Sequence, residues 1–372
     1  MGESSPGVRI PPLPPVQYLA KAAIWIWILV LGYFVWNGVT TEPWEGDSLA
    51  YHIPIARNIL EGKWGHFDNL LEYYPAEGEM ILAGFIRLGI PLNLYNVVGW
   101  VALFLVCRKL GGNLFAAAVC LWPSVVRLIP TQTVDIWLAV FWTGSFLMLE
   151  RKNWLGAGVV LGLLMGVKYS GVGYAGVLIA AALVFGKIDF RKLLVVIGVM
   201  VLVGGFWYAR NYWETGLPFY PAGDSAFKMT EKRSWMIVTN YPARFVEAII
   251  SEYLLWPLVG LLVVVRNFIF NSKINRLLFL AGGNFLVYLF VPAGVENIVS
   301  DLRYIFPVMI PLTWAVFEWA RERGGQEKLG MLAVLAMAVE MTQLDFRPKL
   351  FVIVLMTAAV WLFGLKRLFR WV

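Results

Sequence analysis

The chain has 372 residues, of which 59% are hydrophobic and 15% charged, and its mean hydropathy is +0.69. Soluble domains carry about 25% charged residues, so this composition excludes a soluble globular protein and predicts a polytopic integral membrane protein. The net charge of +7 reflects Lys and Arg in short loops, and no nucleic-acid partner is expected. Cys107 and Cys120 both lie in apolar runs, so they indicate neither a disulfide framework nor a metal site.

Apolar runs long enough to cross about 30 Å of hydrocarbon recur along the whole sequence. The first run is too long for a signal-peptide core and lacks a cleavage site, so we expect it to remain as a span. We predict a single all-α membrane domain over 1–372 with about twelve transmembrane helices, near residues 19–39, 92–107, 113–130, 133–149, 155–171, 172–185, 192–208, 248–265, 276–292, 303–320, 328–343 and 349–365.

The basic loops predict the orientation of these spans, because Lys and Arg are enriched on the cytoplasmic side. Even numbers of spans separate the basic clusters, so all of them can be cytoplasmic together with the tails 1–18 and 366–372. Two large loops, 40–91 and 209–247, are then on the outer side. The shorter outer segments are 127–135, 293–303 and 344–348.

Residues 76–90 form an apolar segment within the first outer loop. A span here would invert every later loop, so we predict an amphipathic helix that lies at the outer membrane interface. Its apolar face consists of Met80, Ile81, Phe85 and Leu88.

Several charged residues fall at the outer ends of different predicted spans. Charges within membrane segments are costly and are functional candidates by default. Cations at one face can bind an anionic phosphate, and a carboxylate beside them can activate a nucleophile. The residues are Asp135, Lys168, Arg210 and Arg303, and Asp47 in the first outer loop faces the same side.

Each of these residues also has a purely structural interpretation. Lys168 can extend toward the interface, Arg210 can mark a helix end, and Asp135 can cap its own helix. Arg303 can pair with Asp301 or Glu296, and Asp47 can simply belong to an acidic outer loop. His52 is more often a structural hydrogen-bonding residue, and with His66 as the second of only two histidines, a His-based metal site is not expected.

A set of short motifs in a fixed order resembles the bacterial polyprenyl-phosphate-dependent glycosyltransferases of the GT-C fold, which are relatives of the protein O-mannosyltransferases and aminoarabinose transferases. The resemblance covers most of residues 19–320. The motifs are Asp47-Ser-Leu-Ala-Tyr-His-Ile-Pro, Tyr73-Tyr74-Pro75 with Glu77, Gly166-Val-Lys168-Tyr-Ser-Gly, Trp207-Tyr-Ala-Arg210-Asn211 with Gly216-Leu-Pro218-Phe-Tyr220-Pro221, and Leu302-Arg303-Tyr304.

The resemblance implies a bundle of membrane helices with amphipathic helices in the first outer loop, and Asp47 as the catalytic base. Lys168, Arg210 and Arg303 would bind the donor phosphate. Supporting roles would fall to Glu45, Tyr51, His52, Tyr74, Glu77, Asp135, Tyr169, Asn211 and Tyr304. No cofactor is required in this scheme. A divalent metal held by Glu45 and Asp47 remains an alternative, because related oligosaccharyltransferases use a metal near an acidic pair.

The function implied is inverting transfer of a sugar from a polyprenyl-phosphate carrier to a lipid, glycan or protein acceptor. The expected location is the plasma (inner) membrane, in contact with its lipids, with the active site on the outer face. Two alternatives stay open: a lipid or solute transporter or flippase, and a non-catalytic membrane assembly subunit. No inverted repeat or pair of similarly broken helices is visible between the two halves of the sequence, which weighs against a transporter.

Overall fold

The computed structural model describes residues 16–65, 67, 69–222, 233–254, 256–267, 272–292, 298–322 and 325. His66, Glu296, the predicted spans 328–343 and 349–365, and the tail 366–372 lie outside the described residues. All elements in the described part are helical, and they follow one another without sheet structure between them.

Sixteen α-helices make up the described part of the chain. They are α1 (Val16–Thr40), α2 (Ile53–Leu60), α3 (Glu77–Leu88), α4 (Tyr95–Cys120), α5 (Pro123–Leu128), α6 (Asp135–Glu150), α7 (Trp154–Val167), α8 (Tyr169–Val184), α9 (Phe190–Gly204), α10 (Phe206–Thr215), α11 (Ser234–Asn240), α12 (Pro242–Tyr253), α13 (Trp256–Asn267), α14 (Ser272–Leu289), α15 (Ile298–Asp301) and α16 (Phe306–Glu322). Four short segments have a different helical geometry. Ser48–His52 is a π-helical turn, and the 3₁₀ turns are Leu70–Tyr73, Leu92–Leu94 and Leu302–Ile305.

The helix α4 reverses its direction at Gly112. The indole Nε1 of Trp100 donates to the carbonyl oxygen of Cys120 at 2.7 Å. Twenty residues of straight helix would separate these groups by about 30 Å, so the chain must fold back between them. Gly112 has φ 86° and ψ 180°, a conformation that is essentially restricted to glycine. The reversal separates the predicted spans 92–107 and 113–130.

Three predicted spans are broken where hydropathy alone shows no interruption. The span 155–171 ends early, because α7 stops at Val167 and Lys168 is extended (φ −163°, ψ 151°). The prediction of a continuous span 248–265 was wrong, because Leu254 adopts a positive φ of 56° between α12 and α13. The span 192–208 is bent by 58° between α9 and α10.

The membrane character of the chain rests on a few long apolar helices. Ala23–Thr40 and Leu92–Cys120 are long and apolar enough to cross a bilayer, although the second is the folded-back α4. The bent pair α9–α10 also meets this criterion, as does the pair formed by α12 and α13. The chain is therefore a helical membrane protein, whereas the number of about twelve spans stays a prediction.

The segment 76–90 contains the helix α3, as predicted. Its twelve residues span about 18 Å, which is shorter than the hydrocarbon thickness of a bilayer. Met80 and Leu88 are exposed, whereas Leu82 and Ala83 are buried against the bundle. The position of α3 at the membrane interface stays a prediction.

Close packing of α7 against α9 determines where the end of α7 lies relative to α10. A Cβ atom at Gly158 would lie 2.7 Å from the Val199 Cβ, and one at Gly162 would lie 2.6 Å from the Val203 Cβ. Glycines at these positions let the helix backbones approach closely, as in many membrane helix pairs. The contact fixes the end of α7, and therefore Lys168, relative to α9 and the following α10.

We predict that Gly112→Ala destabilises the protein by about 1–3 kcal/mol, the typical cost of holding a residue with a side chain in a glycine-only conformation. No heavy atom lies within 4 Å of the added methyl group, so the cost is backbone strain and not a clash. The measurement is thermal unfolding in detergent. Gly198→Ala is the matched control, because Gly198 is also open but helical. Equal melting temperatures for the two variants would contradict the reversal at Gly112.

Candidate functional site

Asp47 lies at the start of a π-helical turn, Ser48–His52, in the loop 40–91. The carboxylate of Glu45 accepts hydrogen bonds from the backbone N–H of Asp47 (3.1 Å) and from the N–H and hydroxyl of Ser48 (both 2.7 Å). The Ser48 hydroxyl accepts in turn from the backbone N–H of Gln132 at 2.9 Å. Asp47 is thereby fixed against the segment that leads into Asp135.

Four charged side chains from distant parts of the sequence form a charge cluster: Asp47, Asp135, Lys168 and Arg303. Arg303 Nη2 lies 2.6 Å from Asp47 Oδ2, and Lys168 Nζ lies 3.0 Å from Asp135 Oδ1. Arg303 Nε lies 3.4 Å from Asp135 Oδ2, an electrostatic contact rather than a hydrogen bond. Asp135 therefore joins both cations, and Arg303 joins both carboxylates.

Burial differs sharply among these four residues. The side chain of Asp135 is 2% exposed and that of Arg303 8%, whereas Lys168 is 21% and Asp47 40% exposed. A buried charge is costly unless it is paired, so Asp135 is the fixed centre of the cluster. Asp47 is the member that a molecule from outside can reach most easily.

Two tyrosines border the charge cluster. Lys168 Nζ lies 3.8 Å from the centre of the Tyr304 ring, a cation–π contact, and Arg303 Nη2 donates to the Tyr304 hydroxyl at 3.1 Å. Burial, and then the Asp47 carboxylate, raise the pKa of Tyr51 well above its usual value. Tyr51 therefore stays a neutral hydroxyl that can donate or accept a hydrogen bond at the site.

A buried pair lies beside the charge cluster, next to Tyr51 in sequence. His52 Nδ1 and Glu79 Oε1 are 2.6 Å apart, and both residues are less than 5% exposed. The pair fastens the π-helical turn to α3. His52 was a candidate from the sequence motifs, whereas Glu79 was not, although its position two residues after Glu77 in an amphipathic helix was a signal.

Arg210 and Asn211 belong to a second network, which we call the clasp: Arg210, Asn211, Tyr169 and the carbonyl groups of Tyr73 and Tyr220. Arg210 Nη2 donates to the Tyr73 oxygen (2.6 Å) and to Asn211 Oδ1 (2.7 Å). The structure thus does not place Arg210 in the charge cluster. The prediction that Arg210 binds the same phosphate as Lys168 and Arg303 has no support in this geometry.

Glu77 and Tyr74 lie near the clasp. Glu77 accepts a hydrogen bond from the Trp207 indole at 3.2 Å, and burial raises its pKa. The rings of Tyr74 and Tyr169 meet edge to face with centroids 5.4 Å apart. Burial raises the pKa of Tyr74 to about 12, with the Tyr304 hydroxyl as a further cause. Tyr74 therefore borders the clasp through its contact with Tyr169.

These contacts decide several of the structural alternatives. Asp135 binds two cations instead of capping its helix, and within the described residues Arg303 forms ion pairs with Asp47 and Asp135. Lys168 has a carboxylate partner that is 33 residues away in sequence.

A metal held by Glu45 and Asp47 would need both carboxylates to turn toward one point. Those of Glu45 and Asp47 are instead directed to backbone N–H groups and to Arg303. The described ranges contain no group of three or more His, Cys, Asp or Glu residues arranged to hold a metal ion.

Comparison with solved structures identifies the fold. The chain is similar to ArnT from Cupriavidus metallidurans bound to undecaprenyl phosphate, with a TM-score of 0.57 and 16% identity. The apo structure of ArnT matches with the same TM-score and 17% identity, and in both cases the match covers 93% of this chain and 68% of ArnT. The chain therefore shares the GT-C fold of ArnT. No family model matches the sequence, and no curated protein matches it significantly.

We predict unequal losses of stability for the two carboxylates of the charge cluster. Asp135→Asn leaves two largely buried cations without their common partner and should cost about 3–5 kcal/mol, as expected for breaking a buried ion pair. Asp47→Asn should cost less than about 1 kcal/mol, because Asp47 is partly solvated. Thermal unfolding in detergent measures both.

The control for these variants is Glu61→Gln, which removes an exposed ion pair with Lys63 and should leave the melting temperature unchanged. A similar loss of stability for Asp47→Asn and Asp135→Asn would show that Asp135 is not the centre of the cluster.

Proposed function

We propose that the chain is an inverting membrane glycosyltransferase, which moves a sugar from a polyprenyl-phosphate carrier to a hydroxyl or amine acceptor at the outer face of the plasma (inner) membrane. The observation that carries the proposal is the charge cluster, which combines a partly exposed carboxylate with two cations. The fold supports it, because ArnT has this fold and has been solved with undecaprenyl phosphate bound.

The charge balance of the cluster determines how a donor would bind. Two carboxylates and two cations sum to zero, so a phosphodiester adds an uncompensated negative charge unless one carboxylate gives way. Asp135 is almost fully buried between both cations, whereas the side chain of Asp47 is 40% exposed and contacts one cation of the charge cluster, Arg303. The donor phosphate therefore replaces Asp47 at Arg303. Lys168, which binds the other carboxylate oxygen of Asp135, completes the binding site.

Displacement of Asp47 from Arg303 also makes the Asp47 carboxylate available as the catalytic base. Once Arg303 holds the phosphate, the Asp47 carboxylate is free to accept a proton from the acceptor nucleophile. Asp135 is less suited to this role, because its two oxygens face Lys168 and Arg303. Glu45 is also less suited, because its oxygens hold the backbone of the turn.

The reaction is one in-line displacement at the anomeric carbon. The acceptor oxygen or nitrogen forms a bond to this carbon while the bond from carbon to the phosphate oxygen breaks, and the configuration inverts. The proton passes to Asp47, and the leaving electron pair stays on the phosphate, which changes from a diester monoanion to a monoester dianion. Lys168 and Arg303 bind this growing charge more strongly in the transition state than in the ground state.

The experiment that tests the proposal measures transfer of a radiolabelled sugar from a polyprenyl-phosphate donor by the purified protein in nanodiscs. We predict that Asp47→Asn lowers turnover by about 10²–10⁴, the usual contribution of general acid–base catalysis. Asp47→Glu should restore little of the lost turnover, since a displacement of about 1 Å spoils the alignment of the carboxylate with the acceptor. Donor binding should persist in both variants.

Glu42→Gln is the matched control, because Glu42 is an exposed acid in the same loop and should transfer at the wild-type rate. Full activity of Asp47→Asn would exclude Asp47 as the base. Movement of intact donor across the bilayer without sugar transfer would instead favour the transporter alternative.

A separate prediction concerns the outer face. Single cysteines at the exposed positions Glu42 and Lys152 should respond differently to an impermeant thiol reagent. Glu42→Cys should react in intact cells, and Lys152→Cys should react only after the membrane is opened, because the loop at Lys152 belongs to the basic cytoplasmic set. The native Cys107 and Cys120 are buried and give little background. The reverse pattern would place the cluster at the cytoplasmic face.

A further inference from the structure

We propose that Asn211 is a positioning residue for the ammonium group of Lys168. It acts through Tyr169, and its effect on sugar transfer rests on the proposed function. Asn211 itself is 0% exposed, so it does not touch a substrate. Its role follows from the chain segments that its side chain joins.

The side-chain amide of Asn211 connects separate outer segments of the fold. Nδ2 donates to the carbonyl oxygen of Tyr73 at 2.9 Å, to the Tyr169 hydroxyl at 2.8 Å and to the carbonyl oxygen of Tyr220 at 3.2 Å. These groups belong to the first outer loop, the start of α8 and the second outer loop. One buried amide thus fastens three segments to α10.

Arg210 fixes the orientation of this amide. Its Nε and Nη2 both donate to Asn211 Oδ1, at 3.0 and 2.7 Å. Because a guanidinium group has donors only, the amide oxygen must face Arg210 and the amide nitrogen must face the tyrosines. Arg210 therefore supports Asn211, and this role accounts for its burial away from the charge cluster.

The connection to Lys168 runs through a break in helical structure. Lys168 is extended between α7 and α8, so no helical hydrogen-bond ladder continues through it. Tyr169 follows directly, and its hydroxyl also bonds the carbonyl oxygens of Tyr73 and Tyr220. A ring held at its hydroxyl end restrains the backbone at its other end. The clasp therefore sets the direction in which Lys168 reaches Asp135 and the Tyr304 ring.

The experiment combines kinetics with a chemical probe of Lys168. Asn211→Ala and Asn211→Asp are compared with wild type for sugar transfer, and amine modification of Lys168 by an amine-reactive ester is quantified by mass spectrometry relative to the exposed Lys152. We expect both variants to lower kcat by about 10²-fold, the loss typical of a misplacement of about 1 Å. Lys168 should become at least threefold more reactive.

Asn211→Asp makes the test specific. The aspartate still accepts from Arg210 but loses the amide donor to the carbonyl oxygens of Tyr73 and Tyr220 and to the Tyr169 hydroxyl. Retained activity would therefore exclude these donated hydrogen bonds as the cause. Asn284→Ala is the matched control, since Asn284 is also 0% exposed and donates to the carbonyl oxygen of Pro307 at 2.8 Å. It should lower the melting temperature but change kcat less than threefold and leave the Lys168 reactivity unchanged.

The outcomes separate this inference from the proposed function. Unchanged Lys168 reactivity in Asn211→Ala, or equal kinetic losses in Asn211→Ala and Asn284→Ala, would overturn the positioning role and reduce Asn211 to ordinary packing. Absence of transfer by the wild-type protein would overturn the proposed function alone, because the reactivity of Lys168 reports on the clasp without any turnover.

Discussion

The buried carboxylate of Asp135 is the constraint on which the rest of the site depends. It begins α6 in a largely apolar surrounding and would be very costly there without partners. Its two oxygens require cations from two other elements, Lys168 from the break between α7 and α8 and Arg303 from the turn before α16. These helices therefore cannot separate or rotate independently without exposing an unpaired charge. Arg303, once fixed in this way, reaches Asp47.

Two layers of support surround this centre. Glu45 and the pair of His52 and Glu79 hold the turn that presents Asp47, through hydrogen bonds to its backbone and to α3. The clasp joins the loops 40–91 and 209–247 to α8 and α10. Rigid placement of both supports matters for a transferase of the kind proposed, because a phosphate and a nucleophile must approach one carbon atom from opposite sides.

The sequence was sufficient to single out Asp47, Asp135, Lys168 and Arg303 as candidates, because charges are rare and costly in an apolar chain. It was not sufficient to pair them, since Asp47 and Arg303 are 256 residues apart. Hydropathy also could not locate the breaks at Lys168 and Leu254, where apolar residues continue on both sides while the backbone leaves the helix. Arg210 met the same sequence criterion as Lys168, and only the contacts of its guanidinium group separate the two.

The neutrality of the charge cluster has a consequence for selectivity. A cluster with excess positive charge would attract every soluble phosphate in the surrounding water. In the mechanism proposed, a phosphate must displace Asp47 from Arg303, and a freely diffusing phosphate has little advantage in that competition. A donor confined to the same bilayer approaches at a much higher effective concentration, because its lipid chain has already restricted its position. For the donor proposed, the ion pair between Asp47 and Arg303 would thus favour anchored over soluble phosphates before any contact with the sugar is made.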